Sequence, residues 1–487
     1  MTFLGGLGEV FNALDLYAYT VPSTDTEQDS LHSFKNDYIK IDFETFLSAA
    51  TMKMSRSQWG AGSKDTNNPE IVRRNPGWSE FAAMPLLRTT AFLKNGGEIY
   101  SKWSAIAATT RGQGDASDLS TTSNKPFLLD SEEACVGWRS KKLNSTKESF
   151  LDISIGNQNV DIGDSFLISQ GTVNAFRRAA FFMSPRTAYR ETAVIKMNTY
   201  PVRYTLFHLR TNTNQRYLRG TDQPRTLMYG GDISYVSRDR ANPSRDFWTL
   251  SLMFLSMYKS DRTFDASSYS RNRDGLQIYN PRLGGFFFPS NRDIRFYSGY
   301  VHQKNNKVGR KVNANAYYIE PGYVFSKLWA KPLLTYRYTH YSGDENPGSV
   351  VKKSYDPVNS GFAVRDGYGT WETGQIFTHY FSNTNQNVHN IQLKLTPTDN
   401  HTVGILYYNI HFDKTQQAGS QSKKAANELN AYWIWTPRPW LVLTALVGAA
   451  VAKEGLNQLI RAENPTVSPK RIGKIASFGC LLAAFRF

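Results

Sequence analysis

Ser477-Phe478-Gly479-Cys480-Leu481-Leu482-Ala483-Ala484-Phe485-Arg486-Phe487 is the stretch from which the fold is read. Every second residue back from Phe487 gives Phe485, Ala483, Leu481 and Gly479, an apolar face in strict period two. Successive side chains of a β-strand point to opposite sides, so this alternation marks a strand with one greasy face. An alternating strand that ends on a terminal Phe is the pattern expected of a membrane-spanning β-barrel.

Working backwards, the same period recurs at Trp440 to Val451, Asn427 to Trp435, Thr402 to Phe412 and Asn387 to Leu395. Earlier segments of this kind are Tyr38 to Met52, Phe81 to Leu93, Glu98 to Thr109, Glu133 to Leu143, Phe150 to Asn157 and Ala175 to Met183, the last with a longer reading that runs on to Lys196. Val202 to Thr211, Thr226 to Ser237, Phe247 to Tyr258, Gly275 to Phe287, Asp293 to Gln303, Val312 to Leu328 and Lys331 to Tyr341 complete the series. The total is about 18 strands, an even number as bacterial barrels require.

The connections alternate in length. Short links fall at Lys94-Asn95-Gly96, Asn144 to Lys147, Asn198 to Pro201, Pro289 to Arg292, Thr396 to Asn400 and Thr436 to Pro439. Long ones fall at Ser55 to Ser79, Arg111 to Ser131, Val160 to Asn174 and Gly343 to Asn385. Barrels have short periplasmic turns on one rim and long extracellular loops on the other. A propeller or sandwich gives no such alternation, and no repeat of blade length is visible. The expected fold is therefore all-β: a transmembrane antiparallel barrel over residues 36–487, preceded by a segment, 1–35, of unassigned structure.

Composition agrees with this reading. The 487 residues include 27 Tyr, 29 Phe, 10 Trp and 35 Gly, which favours pleated structure. No run reaches the roughly 18 apolar residues of a membrane helix, which excludes a helical transporter but not a barrel. The mean hydropathy of −0.47 is that of a chain whose apolar residues alternate with polar ones. Only Cys135 and Cys480 occur, too few for a disulfide-stapled secreted domain. The N-terminus lacks a basic region and an apolar core, so an exported chain is expected to have lost its leader. The expected location is the bacterial outer membrane, in contact with its lipid and lipopolysaccharide.

Net charge is +16, from 57 Lys and Arg against 41 Asp and Glu. A basic residue facing lipid at mid-bilayer costs roughly 2–4 kcal/mol, so charges within strands should face inward. Alternation then places Arg88, Lys102, Arg139, Lys141, Arg203, Arg337, Lys394 and Arg486 in the lumen, accompanied by Asp152, Asp232 and Glu320. In one reading these charges only pair with one another. In the other their basic surplus concentrates anions. The charge is spread through strands and forms no basic helix or patch, which argues against nucleic acid. No metal pair, phosphate loop or nucleophile elbow is present, so neither a cofactor nor an enzyme activity is expected.

Ser354-Tyr355-Asp356-Pro357-Val358-Asn359-Ser360-Gly361-Phe362, Gly367-Tyr368-Gly369-Thr370-Trp371 and Phe381-Ser382-Asn383-Thr384-Asn385 resemble the alginate export family of outer-membrane proteins. The likeness continues through Gln392 to Asp399, Gly404 to Tyr408 and Glu428 to Tyr432. It implies a monomeric 18-stranded barrel with an arginine-rich lumen, occluded by loops, that conducts an anionic polysaccharide. Arg486 matches the family's inward arginine. The strand Asp152 to Gln158 matches its Gly-Arg-Gln strand, except that Asn157 replaces the arginine and removes one anion contact. The expected function is a channel for anionic solutes, foremost the export of an acidic polysaccharide. The alternatives are a small-solute uptake porin, or a structural barrel with partners in a periplasmic or surface assembly.

Overall fold

The computed structural model describes residues 32–65, 70–94, 96–113, 120–121, 126–143, 148–169, 179–180, 182–183, 187–211, 226–238, 246–260, 273–288, 291–309, 311–358, 371, 373–468, 470, 472–473 and 475–487. Eighteen antiparallel strands close into a barrel. They are β1 (Ile39–Ser55), β2 (Gly77–Phe92), β3 (Glu98–Gly112), β4 (Phe127–Arg139), β5 (Leu151–Gln158), β6 (Tyr189–Asn198), β7 (Val202–Arg210), β8 (Thr226–Arg238) and β9 (Asp246–Ser260). Then follow β10 (Gln277–Phe288), β11 (Asn291–Asn305), β12 (Val312–Val324), β13 (Leu333–Tyr341), β14 (Gln386–Thr398), β15 (His401–Phe412), β16 (Lys424–Arg438), β17 (Leu441–Ala452) and β18 (Ile475–Arg486).

Each strand pairs with its chain neighbours, and β18 pairs with β1 to close the ring, Phe46 opposite Arg486 through Ser55 opposite Ser477. Phe487 extends the seam by exchanging backbone hydrogen bonds with Thr45 at 2.8 and 2.9 Å. His32–Lys35 forms a short hairpin arm on β1, lying where β18 would continue. Residues 1–31 lie outside the described residues.

Alternation decides which face each side chain takes. In β18, Leu481 is 62% exposed and turned to lipid, while its neighbours Cys480 and Leu482 are buried in the lumen. Leu129, Leu206, Leu252, Ile391, Leu429 and Val447 are exposed on the same outer surface. On the short-turn rim, His401, Trp433 and Trp435 stack with interplanar angles of 4–10°. Amphipathic rings of this kind mark a membrane–water interface.

One expected strand is displaced. The described residues of Ala175 to Met183 are not wall; the sixth strand is Tyr189–Asn198, which the longer reading to Lys196 overlaps. Ala179, Ala180, Phe182 and Met183 are fully buried inside the barrel, and residues 175–178 and 181 lie outside the described residues. An apolar run that fills a lumen has the composition of a strand without its pairing, which is why periodicity misplaces it.

Glycine is required where the wall turns sharply. Gly156 in β5 adopts φ +123°, and a Cβ there would lie 2.3 Å from the Ala134 carbonyl. An amphipathic helix α1 (Glu454–Glu463) follows β17 and packs against β16 and β17, with Leu456 and Ile460 buried in the hydrophobic cluster of that arc. A small three-stranded sheet, Ser63–Asp65 with Val72–Arg73 and Ser120–Thr121, ties together the two loops that flank β2 and β3.

Candidate functional site

The lumen has two distinct halves. Near the short-turn rim, β1 to β7 present charges. Arg88 and Arg486 donate to the same Glu44 oxygen at 2.8 and 2.9 Å. Glu44 is 1% exposed, so it is held by two guanidinium groups across the seam that closes the barrel. Lys40 pairs with Asp42 at 3.2 Å and Lys102 with Glu133 at 2.7 Å. Arg139 lies 3.3 Å from Glu98 and 3.7 Å from Asp152, with its guanidinium 4.2 Å from the Tyr100 ring centroid. Tyr100 in turn donates to Asp152 at 2.7 Å. Arg203 pairs at 2.7 Å with Glu148, which also accepts from Asn198. Higher in the lumen, Arg282 pairs with Asp232, and Arg337 with Glu320 at 3.2 Å, its guanidinium 5.1 Å from the Trp371 ring centroid.

One expected position reads differently. Lys141 lies past the end of β4, exposed on the short-turn rim, because the strand stops at Arg139. Lys394 in β14 shares the parity of buried Asn390 and Gln392 and is half-buried between its register neighbours Leu333 and Gly404. Asn157, where the resemblance wants an arginine, is half-buried in β5 opposite Ala134. Within the motif that carries the resemblance, residues 359–362 and 367–370 lie outside the described residues. Its described part is structural: Asp356 accepts two hydrogen bonds of 2.6 Å from Arg273, both side chains buried.

Strand reading names Asp152, Asp232 and Glu320, which pair with Arg139, Arg282 and Arg337, but not Glu44, Glu98, Glu133 or Glu148. Glu44, Glu98 and Glu133 sit at inward positions of alternating segments, so their direction was legible. Their partners were not, because the pairs form across strands whose register only the barrel sets.

Toward the long-loop rim the lumen is filled. Described residues of two long connections lie inside: those of 159–188 between β5 and β6, and those of 342–385 between β13 and β14. Val160, Ile162, Phe166, Leu167 and Ile168 of the first loop pack with Tyr355 and Trp371 of the second against the arc β6 to β13. Ala179 to Met183 of the first loop, and Ile376 and Phe377 of the second, pack against the opposite arc, β14 to β18 with β1 to β4. Each loop therefore touches both arcs and crosses the lumen. Rings mesh in both clusters: Phe166 lies 4.6 Å from Trp371, and Phe182 5.4 Å from Phe478.

The loops are tied to the wall by carboxylates. Glu80 in β2 accepts the backbone N–H groups of Phe182 at 2.9 Å and Met183 at 2.8 Å, and the Trp78 indole N–H at 3.0 Å. Glu132 in β4 accepts those of Thr187 at 2.5 Å and Ala188 at 2.7 Å. Glu428 in β16 accepts those of Ile376 at 2.8 Å and Phe377 at 2.9 Å. All three glutamates are at most 1% exposed. A hydrogen bond to a charged acceptor contributes about 1.5–3 kcal/mol, and a buried carboxylate left without one is costly. Gly374, at φ +80°, permits the close approach: a Cβ there would lie 2.5 Å from the Glu428 carboxylate.

No protein-family model matches the chain, and no curated protein is similar in sequence. Solved structures are similar in shape. Pseudomonas aeruginosa OccK11 (OpdR) superposes with a TM-score of 0.51 at 10% identity, over 94% of this chain and 98% of that one. OpdK from the same organism, in a structure with vanillate, gives 0.51 at 10% identity over 92% and 98%. OprD, also from Pseudomonas aeruginosa, gives 0.51 at 11% identity over 96% and 99%. At such identities the likeness is one of fold, a closed antiparallel barrel of 18 strands. It does not uphold the resemblance to the alginate export family, since the similar barrels are of the Occ and OprD type.

Proposed function

We propose that this chain is a narrow outer-membrane channel for small solutes, an uptake porin and not an exporter of polysaccharide. One observation carries the proposal: both long loops cross the lumen and bury side chains such as Phe182, Phe377 and Trp371 against opposite arcs of wall. A lumen crossed twice suits small molecules and disfavours a hydrated polymer. The likeness to barrels that are porins, non-enzymatic channels, supports the same reading, and OpdK was captured with a small molecule, vanillate.

The charge pattern refines it. Lys40, Arg88, Lys102, Arg139, Arg203 and Arg486 are each set against Asp42, Glu44, Glu133, Glu98, Asp152 or Glu148. Paired charges give a polar wall with little net field, so the +16 of the chain does not become a strong anion filter. Arg88 keeps 40% of its side chain exposed, leaving a guanidinium edge for a passing carboxylate or hydroxyl. Selectivity should be slight. Planar-bilayer recordings and liposome swelling test the proposal. Small unit conductance, swelling with monosaccharides and small organic acids, and weak ion preference are expected. Passage of alginate oligomers, or absence of any conductance, overturns it.

A further inference from the structure

Glu80, Glu132 and Glu428 make the same contact three times. Each lies on a different strand, points into the lumen, and accepts two successive backbone N–H groups from an inserted loop segment. We propose that these three carboxylates are positioning residues: they hold the crossing loops in the constricting arrangement and so set the size limit for solutes.

The argument is physical. A buried apolar loop can slide over an apolar wall at small cost, because hydrophobic contact is non-directional. A carboxylate that receives two consecutive amides fixes both position and orientation, because both oxygens or both lone pairs of one oxygen must be reached together. The loops also depend on the contact, since amides buried in a lumen need acceptors, and those of Phe182, Met183, Ile376 and Phe377 find theirs in these carboxylates. Thr110 adds a fourth anchor by accepting the Ala180 N–H at 2.8 Å. The two segments held by Glu80 and Glu428 meet in one hydrophobic cluster, while Glu132 holds the end of the first loop where it re-enters the wall at β6. Three clamps on two loops thus fix both crossings.

This inference rests on the small-solute channel reading for its conductance consequence, but the clamps have a readout that needs no transport. Cys480 is a free thiol facing the lumen, buried in the same cluster as Phe182 and Phe478. In a Cys135→Ser background it reports whether the loop still covers the wall.

The experiment compares full-length wild type with Glu80→Gln, Glu428→Gln and the double variant, each shown to be folded by heat-modifiable mobility. Glu345→Gln, which alters only an outer-loop pair with Lys414, serves as the control. Labelling of Cys480 by a water-soluble maleimide should be about tenfold faster or more in each clamp variant, the factor expected when one charge-assisted hydrogen bond is lost. Unit conductance and the size limit in liposome swelling should rise, most in the double variant, with the control unchanged. Should a wall variant fail to fold, Met183→Pro removes a donated N–H from the loop side and should give the same phenotype. Folded variants with wild-type labelling and wild-type conductance overturn the proposal. Faster labelling with no conductance in any protein upholds the clamps and overturns the channel reading instead.

Discussion

At the short-turn end of the lumen Arg88 keeps 40% of its side chain open to water, while at the long-loop end Phe182 keeps none. Arg88 stands on a wall strand and Phe182 on an inserted loop, and they belong to different designs. The inner half is a wet wall of ion pairs between strands, in which Glu44, Glu98 and Glu133 each answer a base on the barrel itself. In the outer half Glu80, Glu132 and Glu428 receive backbone amides from loops that close the lumen. The same residue type neutralises a wall in one place and holds a plug in the other. The difference shows that charge near a pore is not by itself a charge for the passing ion.

The contrast can be broken by substitution. The largest effect is expected from Phe182→Ala, which removes a fully buried ring from the plug at about 3–5 kcal/mol. Because a loop and not the wall is affected, this should be seen as Cys480 reactivity and raised conductance, with the folded barrel retained. Leu481→Arg should come next: it points a charge into lipid and should cost about 2–4 kcal/mol in denaturant titration of the reconstituted barrel. Equal sensitivity of the pore to this wall change and to Phe182→Ala would erase the distinction between the halves.

Glu44→Gln tests the inner half. It removes the carboxylate shared by Arg88 and Arg486, and should cost about 1.5–3 kcal/mol while shifting the reversal potential toward anions. Arg88→Gln is the smallest. Its pair is partly open to water, so the stability change should stay under about 1 kcal/mol, detectable mainly as a small loss of anion preference. A large loss of stability from Arg88→Gln would mean that the inner ion pairs are structural clamps too.

Much of this was legible from residues alone. The alternation Leu334-Thr335-Tyr336-Arg337-Tyr338 turns Arg337 inward, and the barrel buries it beside Glu320. Arg88, Lys102, Arg139 and Arg203 were likewise assigned a direction, but whether they stood as free cations or in pairs was left as two readings. The segment Ala175 to Met183 shows the limit most clearly. Its apolar run looks like a strand because lipid and a plugged lumen ask for the same composition. The resemblance drawn at Ser354 to Phe362 met the same limit: Tyr355 and Asp356 anchor an inserted loop in the lumen and do not identify a cargo.

By itself the sequence determined the barrel of 18 strands, the alternation of short and long connections, and the inward sense of wall residues such as Arg88, Arg139 and Arg337. Those properties depend on period two and on connection length, which neighbouring residues in the chain already contain. Only the tertiary structure decided how the lumen is filled and which charges are neutralised. Phe182 reaches Glu80 across 102 residues of chain and Phe377 reaches Glu428 across 51. Contacts at such separations are set by where the closed barrel brings loop and wall together, and no local pattern records them.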